Sequence, residues 1–133
     1  MTEVAAGLIE KDGQLLLAER PLGKCLAGYW EFPGGKLEPG ESAEQAIKRE
    51  LQEELQLKVE VVRSLGCFPY RYEWGEIALH AFVVRPCGEP RPTTDVEIFM
   101  WCRPDEISLS TLAPADVEPL RAYLETFAGP QSR

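Results

Sequence analysis

Basic residues are scarce in this 133-residue chain, which has 14 Lys and Arg against 22 Asp and Glu and a formal net charge of −8. A chain with no basic stripe cannot neutralise a run of phosphates, so we expect no nucleic acid polymer as a partner. The same charge repels small phosphorylated molecules. Any phosphate chemistry here therefore requires a metal bridge or a local basic patch.

Long apolar runs and metal-type cysteine spacings are also lacking. No run of about 18 apolar residues exists, and no basic flank precedes an apolar stretch near Met1, so we expect no membrane partner and no secretory signal. The cysteines, which form no CxxC pair, are expected to be reduced thiols that mostly serve packing: Cys25, Cys67, Cys87 and Cys102. These absences predict a cytoplasmic protein, and they leave monomer and homodimer open.

The chain length suits a single domain over residues 1–133, with a frayed tail at about 129–133. Alternating and β-branched segments predict strands at Val4–Glu10, Gln14–Arg20, Trp30–Phe32, Lys58–Gly66, Glu76–Arg85 and Ile98–Cys102. Pro21–Tyr29 is read as a loop, and Gly34-Gly35 as a turn that ends the third strand. Strands, one helix, more strands and a final helix predict a mixed α/β fold.

Two helices carry recognisable start signals. Ser42 and Gln45 fit a capping box at the start of the first helix, and Asp116 is expected to be the N-cap of the second. Each helix has an apolar stripe for the core, formed by Ala43, Ile47, Leu51 and Leu55 in the first and by Val117, Leu120, Leu124 and Phe127 in the second.

Three acids gather on the first helix. Glu50, Glu53 and Glu54 fall within an arc of roughly 100°, beside the apolar stripe rather than opposite it. Glu50 and Glu54 form an i,i+4 like-charge pair that costs about 0.2–0.5 kcal/mol. A solvated acidic face is the usual meaning of such a run. Acids at the edge of the core, largely unpaired although Arg49 can offset Glu53, are better explained as oxygen ligands for a divalent cation such as Mg²⁺.

A glycine pair precedes this helix by a few residues. Gly34 and Gly35 permit φ > 0 and allow the backbone to approach a metal or a phosphate closely. A Gly-Gly turn is weak evidence alone, and it gains weight from the acidic helix that follows.

Gly35, then Glu41, then the hexapeptide from Arg49 to Glu54 resemble the signature of the Nudix hydrolases, and the segment YWEFPGGK, which ends at Lys36, resembles the MutT branch. The resemblance implies an α/β/α sandwich, with a mixed sheet between the catalytic helix and the C-terminal helix. One position departs from the signature, because Gln56 stands where the family has a glycine that ends the helix in a left-handed turn. A non-glycine residue adopts that turn at a cost of about 1 kcal/mol.

The resemblance also implies an enzyme that hydrolyses a nucleoside triphosphate, unmodified or oxidised, to the monophosphate and pyrophosphate. It implies Mg²⁺ as the cofactor, with Mn²⁺ as a substitute. Metal ligands are then expected at Glu50, Glu53, Glu54 and the Gly34 carbonyl, and Arg49 is expected to orient a catalytic carboxylate. Glu50, favoured as combined ligand and base, competes for the role of general base with Glu53 and Glu41.

Three residues are expected at the substrate, namely Arg20 for the nucleotide, Lys36 for phosphate and Asp116 for the base. An ionised aspartate presents only acceptors, which favours a base edge with an exocyclic amine. Asp95 or Glu97 is a candidate for a further acid at the metal. Hydrolysis of ADP-ribose or a sugar nucleotide, a catalytically silent nucleotide-binding module and an acidic interaction domain stay open as alternatives.

Overall fold

A mixed seven-stranded sheet lies between two helices in the computed structural model, which describes residues 1–20 and 28–128. This arrangement confirms the α/β/α sandwich. The strands, in chain order, are β1 (Thr2–Lys11), β2 (Gln14–Glu19), β3 (Trp30–Glu31), β4 (Gly34–Lys36), β5 (Val59–Tyr72), β6 (Gly75–Pro86) and β7 (Phe99–Cys102). The helices are α1 (Ala43–Leu55) and α2 (Val117–Ala128), with 3₁₀ turns at Pro104–Glu106 and Pro114–Asp116.

Strand β1 organises the sheet. It runs parallel to β6 and antiparallel to β4, and its last two residues pair with the start of β2. The main path through the sheet is β3-β2-β1-β6-β5, with β7 added to β2. Because β4 pairs with β1 directly before α1, the glycine pair is fixed against the centre of the sheet.

The core forms two layers because β1 alternates. Ala5 and Ile9 pack with the α1 side, whereas Ala6 and Leu8 pack with the α2 side. On α1 the predicted stripe is confirmed, since Ile47, Leu51 and Leu55 are fully buried and Ala43 is partly buried. On α2, Leu120 is buried, and Val117 and Leu124 pack partly buried against the same layer. The side chain of Phe127 lies outside the described part of the structure.

Both ends of α1 follow local signals. The capping box is confirmed, since the Gln45 amide donates to Ser42 Oγ at 3.1 Å and the Ser42 amide donates to Gln45 Oε1 at 2.9 Å. At the other end Gln56 adopts φ 50° and ψ 40°, a left-handed conformation, and its amide donates to the Gln52 carbonyl. Glutamine therefore makes the same turn that a glycine would make, and the helix ends where the signature requires.

Several expectations need correction. Gly34-Gly35 does not break the sheet as a turn, because it forms β4, and neither glycine has positive φ. Asp116 does not cap α2, since its carboxylate accepts from the distant Phe32 amide. Strand β5 continues well beyond Gly66. Most of the loop predicted at Pro21–Tyr29 lies outside the described residues.

Two simpler expectations can also be compared with the described ranges. The thiols of Cys67, Cys87 and Cys102 are free, but the first two are exposed, so the expectation that they serve packing is wrong for them. Cys25 falls in the undescribed segment. Neither helix of residues 1–20 and 28–128 combines the length and the apolar character that a membrane crossing needs.

Candidate active site

The glycine pair is required by close contacts. A Cβ built on Gly34 would lie 1.9 Å from the Ala5 carbonyl oxygen of β1, and one built on Gly35 would lie 2.5 Å from the Glu50 carboxylate carbon. Atoms at these separations overlap, so a side chain at Gly34 would collide with the β1 backbone and one at Gly35 would displace the Glu50 carboxylate. The glycines bring the β4 backbone against β1 and against an acid of α1, rather than supplying positive φ.

Arg49 organises the polar edge of α1. Its Nε and Nη2 donate to the two oxygens of Glu41 at 2.7 and 2.9 Å, and its Nη1 donates to Glu50 and to Glu53 at 3.1 Å each. Nη2 also donates to the Lys36 carbonyl at 3.0 Å. The bidentate geometry is the strong form of an Arg–carboxylate contact. The acids of α1 are thus less isolated than expected, because Arg49 pairs with two of them.

The charge of Arg49 separates the acids into two kinds. Hydrogen bonds from Arg49 and from the Glu38 amide hold the pKa of Glu41 down at about 2. Burial raises the pKa of Glu50, against the opposing effect of Arg49, and burial with the nearby charge of Glu50 raises the pKa of Glu54 to about 9. Glu41 therefore stays ionised at neutral pH. Glu50 and Glu54 lie close together in a partly buried place, where two negative charges are unfavourable.

A divalent cation fits the Glu50–Glu54 pair. The two carboxylates lie close enough for the charge of Glu50 to raise the pKa of Glu54, and the Gly34 backbone lies close enough to Glu54 to oppose that rise. Two acids in contact at a partly buried site repel each other when both are ionised, and an added cation removes that repulsion. Glu53 takes a different position, since its side chain is 54% exposed and is bound to Arg49.

These residues do not form a complete metal cage. In residues 1–20 and 28–128 no group of three or more His, Cys, Asp or Glu side chains is arranged to hold a metal. Mg²⁺ does not require one, because it commonly binds through one or two carboxylates together with waters and substrate phosphates. The pair of acids beside Gly34 thus suits a cation that arrives with its substrate.

A cleft of about 230 Å³ opens beside β4 and extends to the start of α2. It is lined by the backbone of Gly34 and Gly35 and by side chains that include Arg20, Glu31, Phe32, Lys36, Tyr72, Trp74 and Asp116. A larger cavity of about 650 Å³, between the β1–β2 turn and the end of β6, is lined by neither the glycine pair nor any predicted substrate residue. We therefore place the site in the smaller cleft, which joins all three predicted substrate residues to the glycine pair, with the Glu50 carboxylate close against Gly35.

Asp116 is a buried acid in this cleft, with 4% of its surface exposed. The Phe32 amide donates to its Oδ2 at 2.9 Å. Burial raises the pKa of Asp116 to about 8, with a further upward effect from Glu31 and a downward effect from Arg20. At pH 7 the free protein therefore holds this carboxyl mainly in its protonated form.

The raised pKa of Asp116 predicts a pH-dependent stability. Its folded-state pKa of about 8 lies above the ordinary value of 3.8, so its contribution is fully present below pH 4 and is lost as the pH rises to about 8. The free energy of unfolding of the wild type, minus that of Asp116→Asn, is expected to fall with pH by at most about 1.4 kcal/mol per pH unit. Urea titrations of both proteins at pH 5, 6, 7, 8 and 9 measure this difference, and a constant difference would show that Asp116 is ionised throughout.

Some residues near the cleft were not predicted from the sequence, and others were predicted without a definite role. Glu31 forms an ion pair with Arg20 at 3.2 Å inside the cleft, and no local pattern singles it out. Asp95 and Glu97 are both exposed, and Asp95 lies close enough to Glu54 for its charge to raise the pKa of Glu54. Tyr72 and Trp74 line the cleft from the β5–β6 turn. The run of aromatic residues from Phe68 to Tyr72 is a sequence signal for a stacking ring, and it does not include Trp74.

The chain is similar to known proteins over most of its length. The profile of the NUDIX domain matches residues 1–123. A CTP pyrophosphohydrolase of Escherichia coli is 40% identical over 124 residues, which cover 93% of this chain and 92% of that protein. An 8-oxo-dGTP diphosphatase of Haemophilus influenzae is 33% identical over 124 residues, 92% of this chain and 90% of that protein.

Solved structures with a similar fold cover nearly the whole chain. The solution structure of the E. coli ORF135 protein superposes with a TM-score of 0.85 at 39% identity and covers 100% of this chain and 95% of that one. The crystal structure of a MutT NUDIX hydrolase from Burkholderia pseudomallei has a TM-score of 0.82 at 27% identity, covering 91% of this chain and 96% of that one.

Proposed function

The chain belongs to the Nudix family of hydrolases, and from that premise we propose that it is a single-domain, Mg²⁺-dependent enzyme that hydrolyses a nucleoside triphosphate to the monophosphate and pyrophosphate. We further propose that its preferred substrates carry an exocyclic amine on the base, with cytosine nucleotides first. Nudix hydrolases generally use divalent metal cations. The choice of Mg²⁺ over Mn²⁺ is part of the proposal.

One observation carries the proposal above the others. Gly34 and Gly35, against which the Glu50 carboxylate lies, line a cleft that also holds the buried Asp116. Such a cleft has a place for metal and phosphate beside the glycines and for a base beside Asp116. The names of the two curated relatives, a CTP pyrophosphohydrolase and an 8-oxo-dGTP diphosphatase, support a triphosphate as the substrate class.

The side chains of α1 then have separate roles. Glu50, Glu54 and the Gly34 carbonyl would hold the metal, and Glu53, which is bound to Arg49 here, would be a further ligand. Bound Mg²⁺ neutralises phosphate oxygens and lowers the pKa of a water molecule. Glu50 accepts the proton of the attacking water on a carboxylate oxygen, because burial raises its pKa toward the working range. Glu41, with its pKa at about 2, is a poor base and instead fixes Arg49 as a positioning residue.

The substrate residues surround the cleft. Lys36 supplies a positive charge next to the glycine pair, where the phosphates enter, and Arg20 is held by Glu31 on the wall of the cleft. At the far end, the Phe32 amide occupies Oδ2 of Asp116 and leaves Oδ1 for the base. That oxygen accepts from the exocyclic amine of cytosine or adenine. When protonated, it also donates to the ring nitrogen beside that amine.

The direct test is a product analysis with several nucleotides. Wild-type protein with Mg²⁺ is expected to convert CTP and dCTP to the monophosphate and pyrophosphate, and to lose this activity in excess EDTA. The panel also contains GTP, 8-oxo-dGTP, ATP, ADP-ribose and a sugar nucleotide. Release of inorganic phosphate from CTP, or faster hydrolysis of ADP-ribose, would contradict the proposal. No hydrolysis of any compound would favour the silent binding module.

Base choice is tested by Asp116→Asn. The Phe32 amide would then hold the only side-chain oxygen, and the substrate would meet an NH₂ donor instead of an acceptor. We expect kcat/KM for CTP to fall and that for GTP to rise, so that their ratio changes by about 5- to 100-fold, the size of one good base contact. An equal loss for both nucleotides would instead show that the substitution damages the cleft without changing what it reads.

A further inference from the structure

The turn between β5 and β6 carries an unusual pair of aromatic rings beside the cleft. The rings of Tyr72 and Trp74 are stacked, with centroids 4.3 Å apart and planes inclined by 7°. Tyr70 packs on the other side of Tyr72, with centroids 4.6 Å apart and an inclination of 55°. The three rings form a short series that ends at Trp74.

Tyr72, the middle ring of this series, is hydrogen-bonded to the backbone beside Asp116. The Ala115 amide, directly before Asp116, donates to the Tyr72 hydroxyl oxygen at 3.0 Å. Burial raises the pKa of the Tyr72 phenol to about 12, and the charge of Asp116 contributes to that rise. Tyr72 is therefore held close to the acid that we propose reads the edge of the base.

Trp74, the last ring of the series, is not part of the hydrophobic core. Trp74 is 58% exposed although tryptophan is normally well buried in folded proteins. Its ring also lines the cleft together with Phe32 and Asp116. An aromatic ring that rests on one neighbour and leaves much of its surface open at the mouth of a cleft offers a face to a flat ligand.

We propose that Trp74, supported by the stacked ring of Tyr72, is a substrate-binding residue that stacks on the base of the bound nucleotide. This inference rests on the proposed function for the identity of the ligand. Asp116 contacts the edge of the base, whereas Trp74 contacts its face, so the two residues make independent contacts with the same ring. Stacking depends weakly on which base is present, because every base has a π-face. Trp74 therefore supplies affinity for the nucleoside part, and Asp116 supplies the choice among bases.

The test measures binding without hydrolysis. Calorimetry with CMP in the absence of metal is expected to give a dissociation constant about 5- to 100-fold higher for Trp74→Ala than for wild type. Trp74→Phe keeps an aromatic face and is expected to stay within about threefold of wild type. Val62→Ala, which trims an exposed apolar side chain elsewhere on β5, is the matched control and is expected to change nothing.

Two further readouts separate stacking from a general effect on the cleft. Inorganic tripolyphosphate with Mg²⁺ has no base, so its affinity is expected to be the same for wild type and Trp74→Ala. CMP is expected to quench the fluorescence of the wild type and much less that of Trp74→Phe, although Trp74→Phe still binds.

Equal CMP affinity of Trp74→Ala and wild type would overturn the proposal, as would an equal loss of tripolyphosphate affinity or no detectable CMP binding by the wild type. Hydrolysis of CTP alongside any of these results would leave the proposed function standing without the stacking role. If Trp74→Ala loses base-dependent binding and the wild type hydrolyses no nucleotide, the stacking role stands and the proposed function is wrong.

Discussion

Replacing Glu50 by Gln is expected to lower kcat/KM for CTP by about 10²–10⁴-fold, the range for loss of a general base, while the protein stays folded. The amide keeps the size of the side chain but cannot accept the proton of the attacking water, and it is a weaker ligand for a hard cation. The loss for Glu53→Gln is expected to be smaller, because Glu53 is more exposed than Glu50, with 54% against 14% of the side chain accessible.

A matched control lies on the same helix. Glu44 is an exposed acid of α1 that pairs with Lys48 at 4.0 Å and takes no part in the described Arg49 contacts. Glu44→Gln is expected to stay within twofold of wild type in steady-state assays. If Glu50→Gln retains more than a tenth of the wild-type kcat/KM, or if Glu44→Gln loses as much, the assignment of Glu50 is wrong.

Alanine at the two neighbouring glycines is expected to affect different properties, namely stability at Gly34 and activity at Gly35. In Gly34→Ala the new methyl group meets the Ala5 carbonyl at 1.9 Å, and because that atom belongs to the backbone of the central strand, β4 must separate from β1. We expect the free energy of unfolding to fall by about 3 kcal/mol or more, at the upper end for overpacking. In Gly35→Ala the methyl group meets only the flexible end of Glu50, at 2.5 Å. The stability loss is then expected to be below about 1.5 kcal/mol.

The activity of the two variants distinguishes the cause. Gly35→Ala pushes the Glu50 carboxylate away from Arg49 and Glu54, so it is expected to lose at least about tenfold in kcat/KM although it is folded. Urea titration and CTP hydrolysis of both variants measure the two effects. A stable Gly34→Ala protein would show that β4 does not pair with β1 as described, and a fully active Gly35→Ala protein would show that Glu50 works from another position.

The features predicted well from sequence are those fixed by near neighbours. The Ser42–Gln45 capping box and the stripe of Ile47, Leu51 and Leu55 depend on spacings of three and four residues, and both are as expected. The sequence left the end of this helix open, because a non-glycine residue adopts a left-handed turn at a cost of about 1 kcal/mol, and Gln56 adopts that turn.

The features predicted poorly depend on partners brought together by the sheet. Asp116 has the local appearance of an N-cap, but its partner is the Phe32 amide 84 residues earlier in the chain, because the start of α2 lies beside the strand that precedes the glycines. Arg49 pairs with Glu53 as expected, whereas its bidentate contact with Glu41 was not expected, because it depends on the bend between β4 and α1. Gly34-Gly35 resembles a turn by composition, and only its pairing with β1 makes it a strand.

The most direct measurement of the central claim, that the acids of α1 form a divalent metal site, is the electron paramagnetic resonance of Mn²⁺ titrated into the protein with and without CMP. We predict that wild type and Glu44→Gln remove the free Mn²⁺ signal with the same dissociation constant. Glu50→Gln and Glu54→Gln are predicted to bind at least about tenfold more weakly, since removing even a supporting contact of a metal site costs 10–100-fold. Equal Mn²⁺ binding by all four proteins would contradict the account, because the cation would then be held by residues other than the acids beside Gly34.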